Sequence, residues 1–181
     1  GLDWKSQTPK TEQPGFKEQR GYKFILCALD RATRKLYAKA LRTRTAVETR
    51  DALLVILREA DAMTTLQEIS FDSASEFLSK EMSAALRTIG PNEGGVTIHV
   101  KPPGRESQND IADLDSKMGV FSRALALTRK KHGPMTLAWF SFIPSALLFV
   151  NKKRVRHGCA LGIAPDKAEA SFEAAKEARQ K

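Results

Sequence analysis

The chain has two cysteines, Cys27 and Cys159, too few for a disulfide framework and at no metal-binding spacing. Cys27 lies in an apolar run and reads as a small buried residue. Aromatics make up 7% of the chain and are not interleaved with basic residues, so stacking-based readout of bases is not indicated. No apolar run approaches the roughly eighteen residues of a membrane span. The most apolar segment, 137–150, is broken by Ser141, Pro144 and Ser145. There is no internal repeat, and nothing argues for secretion. Gly1 in place of Met points to a fragment or a processed chain, from which a targeting segment could have been removed.

What is present is enough for one domain with a real core: 181 residues, 41% hydrophobic and 28% charged. The formal net charge is +9. That balance favours a polyanionic partner: nucleic acid, an acidic protein or an acidic membrane surface.

Periodicity divides the chain into alternating elements. Residues 1–5 read as the end of a strand, and 6–20, with Pro9, Pro14 and Gly15, as a loop or wide hairpin connection. Tyr22 to Leu29 is a near-continuous apolar run, expected of a central strand buried on both faces. Lys35 to Leu41 reads as the next strand of an antiparallel meander. Thr45 is placed to cap a helix whose apolar face is Val47, Leu53, Leu54, Ile56 and Leu57. Leu66 to Phe71 is a short buried strand. A helix starting at Ser75 or Ser79 follows, with Phe77, Met82, Leu86 and Ile89 inward, ending near Gly90. Gly94 to Val100 is another strand, 102–110 a loop, and Ile111 to Lys131 a long helix with the stripe Ile111, Leu114, Met118, Phe121, Leu125. Residues 136–150 read as helical around Pro144, and 164–181 as a charged terminal helix. The order gives an α/β fold: a mixed five-stranded sheet, antiparallel meander first and parallel strands after, flanked by helices. The expected division is a core over 1–135 and a helical extension of the same domain over 136–181.

The chemistry centres on Ile69-Ser70-Phe71-Asp72-Ser73-Ala74-Ser75-Glu76. An apolar strand delivers one carboxylate to a turn of small residues, a good position for holding a divalent metal. Asp3 stands upstream and Asp115 downstream. Three carboxylates from three separate elements are what a two-metal phosphoryl-transfer site needs.

These segments, in this order, resemble the catalytic core of retroviral and retrotransposon integrases, of the RNase H-like superfamily. Gly1-Leu2-Asp3-Trp4 looks like the first strand with its acid, and Tyr22 to Leu41 like the second and third strands. Phe71 to Phe77 resembles the Thr-Asp-Asn-Gly-Ser-Glu-Phe motif, and Asn109 to Arg123 the helix bearing the third acid. Asn151 to Pro165 resembles the tail of Asn, then His, then Gly-x-x-Pro. The resemblance implies DNA integration by metal-dependent strand transfer, with Asp3, Asp72 and Asp115 as catalytic and metal-holding residues. It implies two Mg²⁺ ions (or Mn²⁺) about 4 Å apart, element ends and target DNA as partners, assembly as a homodimer or higher oligomer, and work in the nucleus.

Candidates for the third acid are Glu106, Asp110, Asp113 and Asp115. At about 100° per residue, Asp115 lies roughly 80° from the centre of the apolar stripe and Asp113 roughly 120° away, further toward solvent. A site carboxylate borders the buried face, which favours Asp115; Asp113 and Glu106, the latter in a loop flanked by Gly and Pro, remain alternatives. Lys117 and Arg123 on the same helix are placed for DNA backbone contact. The clusters around Lys130 and Lys131 and around Lys152, Lys153 and Arg154 are further phosphate-binding candidates or simply solvated faces. Asp30 reads as a turn residue, Glu76 as serving the helix after it, His99 as a strand residue, His132 as a helix-end residue and His157 as a packing or capping residue. Ser73-Ala74 stands where the family has Asn-Gly, and the third acid is Asp where Glu is usual. The family's zinc-binding His and Cys pairs and its small C-terminal barrel are absent from the sequence. A second expectation therefore stands beside the first: a catalytically silent, recruited integrase-like domain whose basic surface docks an acidic protein in a larger assembly.

Overall fold

The computed structural model describes residues 2–6, 21–72, 74–91, 95–100, 109–131, 138–152, 165–167 and 171; of these, 2–6, 109–113 and 115 are described by backbone alone. The strands are β1 (Leu2–Ser6), β2 (Phe24–Leu29), β3 (Leu36–Leu41), β4 (Glu68–Phe71) and β5 (Thr97–Val100). The helices are α1 (Ala46–Glu59), α2 (Lys80–Arg87), α3 (Asn109–Lys131) and α4 (Ile143–Lys152), the last preceded by a 3-10 turn over Trp139–Phe142. No helix among the described residues is long and apolar enough to cross a membrane.

β2 and β3 are antiparallel along their whole length, from Phe24–Leu41 to Leu29–Leu36, and β4 and β5 are parallel from Glu68–Thr97 to Phe71–Val100. β1 lies between these pairs, antiparallel to β2 from Leu2–Ala28 to Ser6–Phe24 and parallel to β4 at the single pair Leu2–Phe71. The lateral order is β3-β2-β1-β4-β5.

The near-continuous apolar run of β2 has its reason here: both faces are covered. Ile25, Cys27 and Leu29 face a cluster built with Leu36 and Ala38, with Leu114, Met118, Phe121 and Leu125 of α3, and with Trp139, Ile143, Ala146 and Val150 around α4. Leu26 faces the other way, with Tyr37 and Leu41, toward Leu53, Ile56 and Leu57 of α1 and Met82 and Leu86 of α2. Alternation of period two along the strand sorts these residues between the two layers.

The helix boundaries follow from local chemistry. Thr45 caps α1 by accepting from the Glu48 N–H, and Glu48 reaches back to accept from the N–H groups of Arg42 (2.7 Å) and Thr43 (2.8 Å), a variant of the capping box. Of the two expected starts of the second helix, Ser79 is the one used: its hydroxyl accepts from the Met82 N–H at 3.1 Å, and residues 75–78 form a turn. The chain leaves α2 through Gly90 and Gly95, both at positive φ (+102° and +75°). A Cβ on Gly95 would lie 2.6 Å from the Arg87 Cα, so only glycine fits this approach.

Three expectations need correction. Of the strand expected over 94–100, Thr97–Val100 forms and residues 95 and 96 do not, Gly94 lying outside the described residues; all four strand residues are exposed. It is an edge strand with neither face covered among the described residues, where Ile98 and Val100 are exposed. The helix expected around Pro144 begins as a 3-10 turn, and Pro144 sits in the first turn of α4, where its missing N–H costs no helical bond. The loop expected over 102–110 ends earlier, because α3 begins at Asn109; residues 101–108 lie outside the described residues, as do most of the expected terminal helix and Cys159.

Candidate active site

The site is built where β4 ends. Ile69 and Phe71 pack toward α1 and α2, and Phe71 stacks on Phe77 with ring centroids 4.8 Å apart and planes 6° from parallel. That stack pins both ends of the turn that follows the strand. Asp72 begins the turn, and its Oδ1 accepts from the Ala74 N–H at 3.1 Å, a short local ring of the kind aspartate forms at turn starts. Ala74, which stands where the motif has Gly, does not adopt a positive φ.

Asp72 is half-buried, and its carboxyl is pushed above the usual aspartate range. Burial is the main cause; the Ala74 N–H works against it, the Glu76 charge adds to it, and Arg44 opposes it. Glu76 does not serve α2 as expected from its position. It turns back to Arg44, whose Nε lies 2.7 Å from Glu76 Oε1, and the Glu76 side chain is only 11% exposed. The pair ties the segment between β3 and α1 to the turn after β4 and sets one positive and one negative charge beside Asp72. Sequence reasoning missed Arg44, because only the fold brings these two segments together.

Asp3 is the residue after Leu2, as Asp72 is the residue after Phe71, and Leu2 and Phe71 are register partners on parallel strands. The backbone therefore places Asp3 and Asp72 side by side at the junction of β1 and β4. On its other side Asp3 is the register partner of Cys27. Cys27 belongs to the same cluster as Leu114, the residue before Asp115 in α3. The start of α3 thus packs on the sheet layer that carries the position opposite Asp3. Asp110 and Asp113 lie on the same helix, described by backbone alone, and Glu106 lies outside the described residues.

The other candidates are distributed over the surface. Lys117 is partly buried on α3 and Arg123 is exposed. Lys130 and Lys131 are exposed in the last turn of α3, and Lys152 is exposed at the end of α4. Lys153, Arg154, His132 and His157 lie outside the described residues. Asp30 is a turn residue, as expected: it accepts from the Ala32 N–H at 2.9 Å and from the Thr33 hydroxyl. His99 stands on β5 with Nε2 3.6 Å from Glu68 on β4.

The fit of this site to a hard cation can be judged at Asp72. It offers an oxygen donor whose negative charge is disfavoured by burial, and its Oδ2 has no protein hydrogen bond among the described residues. A divalent cation would offset that penalty, so the donor suits Mg²⁺ or Mn²⁺. Among the described residues no three His, Cys, Asp or Glu side chains form a metal-holding group; the carboxylates of Asp3 and Asp115 are not among those side chains.

No protein-family description matches the chain, and no curated protein matches it. Among solved structures, the catalytic core domain of BIV integrase in crystal form I is similar to it with a TM-score of 0.65 at 16% identity, over 85% of this chain and 90% of that one. The element order, the pairing of β1 with β4 and this likeness agree: the chain has the fold of an integrase catalytic core.

Proposed function

We propose that the chain is an RNase H-like, five-stranded integrase-type core that carries out metal-dependent DNA strand transfer for a mobile element. The observation that supports this is the Leu2–Phe71 pair between parallel β1 and β4, with Asp3 following Leu2 and Asp72 following Phe71. Asp3, Asp72 and Asp115 would hold two Mg²⁺ or Mn²⁺ ions, which when bound supply Lewis acidity for activating a hydroxyl and steadying a leaving oxygen. Asp72 presents its carboxylate from a turn held by the Phe71–Phe77 stack and the Arg44–Glu76 pair. Lys117 and Arg123 on α3 would bind the phosphate backbone near the acids. Lys130, Lys131, Lys152, Lys153 and Arg154 would extend that surface, in keeping with the net charge of +9. Exposed Val47 and Val55 on α1 and Leu148 on α4 would contribute apolar surface to assembly into a dimer or higher oligomer. Residues 1–135 and 136–181 form one unit in this proposal, and the nucleus is its place of work.

The test is a strand-transfer assay with Mg²⁺ and with Mn²⁺, comparing the chain with Asp72→Asn. Activity that needs the cation and disappears in the variant supports the proposal. Activity unchanged in Asp72→Asn removes the site, and a DNA-binding protein with no activity under either cation leaves the silent, recruited domain as the better account.

A further inference from the structure

Two carboxylates share the turn after β4, and their surroundings set them apart. Asp72 uses Oδ1 to accept from the Ala74 N–H. Glu76 has both oxygens engaged: Oε1 lies 2.7 Å from the Arg44 Nε, and Oε2 accepts from the Ser75 hydroxyl at 3.3 Å. The Glu76 side chain is 11% exposed and that of Arg44 42%. Glu76 is thus committed to its neighbours, next to a carboxylate that suits a cation.

Each end of the Arg44–Glu76 pair is held by its own segment. On the Arg44 side, Glu48 accepts from the N–H groups of Arg42 and Thr43 and from the Thr43 hydroxyl, while Thr45 caps α1. On the Glu76 side, the Phe77 N–H donates to the Ala74 carbonyl at 3.1 Å, and the Phe77 ring stacks on Phe71. One positive and one negative charge are therefore fixed near Asp72. They act on it in opposite senses, Glu76 disfavouring its negative charge and Arg44 favouring it. On a divalent cation the senses reverse: Glu76 attracts it and Arg44 repels it.

We propose that Arg44 and Glu76 are positioning residues for the cation site, a balanced charge pair that sets how tightly the site holds a divalent cation without ligating it, an inference that rests on Asp72 holding that cation. The effect follows from counting charges. With both residues present the pair adds no net charge, and the cation meets the carboxylate donors alone. Removing the Arg44 charge leaves a second anion four residues from Asp72, which tightens binding. Removing the Glu76 charge leaves a positive group there, which weakens it. A tie that only held the turn would behave differently, because breaking it from either end would loosen Asp72 and weaken binding both times. A Glu76 that ligated the cation would differ again, because removing Arg44 as well would not restore the lost donor.

The experiment titrates Mn²⁺ into the full chain at neutral pH and low salt, reading the free ion by its electron paramagnetic resonance signal. It compares the wild type with Arg44→Met, Glu76→Gln, the double variant Arg44→Met/Glu76→Gln, and Asp72→Asn, each verified as folded by circular dichroism. Arg44→Met should tighten binding and Glu76→Gln weaken it, each on the order of three- to tenfold. The double variant should return close to the wild type. If Arg44→Met does not fold, the recovery from Glu76→Gln to the double variant makes the same test. Weakening in both single variants, no change in either, or a double variant no tighter than Glu76→Gln overturns the proposal while leaving the cation site standing. A wild type that binds Mn²⁺ no more tightly than Asp72→Asn overturns the cation site itself, and this proposal with it.

Discussion

Asn151 offers the sharpest test of how the fold is held. It is 5% exposed at the end of α4, and its amide bonds both backbone groups of Leu36: Oδ1 accepts from the Leu36 N–H and Nδ2 donates to the Leu36 carbonyl, each at 2.9 Å. β3 is an edge strand in the order β3-β2-β1-β4-β5, so among the described residues these groups have no further strand to pair with. The Asn151 amide takes the place of one peptide unit of a neighbouring strand. In Asn151→Ala both Leu36 groups lose their partner in a dry setting, at about 1–3 kcal/mol each where water does not enter. Some water will reach an edge, so the expected loss is about 2–4 kcal/mol. With a urea m-value of about 2 kcal/mol/M, the unfolding midpoint should fall by about 1–2 M. Exchange of the Leu36 amide should rise more than that of Leu26 in the sheet centre. A loss below about 0.5 kcal/mol with the Leu36 amide still protected would refute the reasoning.

Asp72→Asn should leave the metal-free protein equally or more stable near neutral pH. Its folded pKa is raised chiefly by burial, so the native state binds the proton better than the unfolded state; the aspartate costs stability above its folded pKa and ceases to do so below its unfolded value near about 3.9. Urea midpoints across that window should show the wild type gaining on the variant as pH falls, and Mg²⁺ should raise the wild-type midpoint only. Glu48 has the opposite sign. Burial alone would raise it, but the Thr43 hydroxyl and the Arg42 and Thr43 N–H groups outweigh burial and hold it low. Its contribution is present above the unfolded value near about 4.3 and is lost as pH falls through the folded one. Glu48→Gln should flatten that part of the acid limb of the stability profile, measured by urea midpoints between neutral and acid pH. Gly95→Ala should cost about 1–3 kcal/mol from its positive φ alone, with more from the Cβ 2.6 Å from the Arg87 Cα; thermal unfolding of the variant measures it.

Much of the architecture could be read from local pattern because local chemistry decides it. The Phe24–Leu29 run announces a strand covered on both sides, and the α3 stripe at Leu114, Met118, Phe121 and Leu125 is buried because its spacing keeps those residues on one face. Thr45 and Ser79 mark helix starts through their own hydroxyls. Asp72 could be picked out because an apolar strand ends in a lone carboxylate. What pairing over long distances decides was not legible. The Arg44–Glu76 pair joins segments with no shared pattern, and Asn151 meets Leu36 across 115 residues. The short, exposed β5 reads as a longer strand in sequence because Val96 to Val100 alternates well, and its exposure among the described residues goes with its place at the sheet edge.

The proposed function requires that the end of β4, the start of β1 and the start of α3 share one cation site. The most direct measurement is anomalous diffraction from crystals of the chain soaked in Mn²⁺, at a wavelength near the manganese edge. The expected result is Mn²⁺ bound to an Asp72 carboxylate oxygen at about 2.1–2.2 Å, with Asp3 and an α3 carboxylate in the same coordination sphere, and no peak in Asp72→Asn. Manganese absent from Asp72 at saturating concentration, or bound there with the Asp3 and Asp115 carboxylates turned to other surroundings, would contradict it.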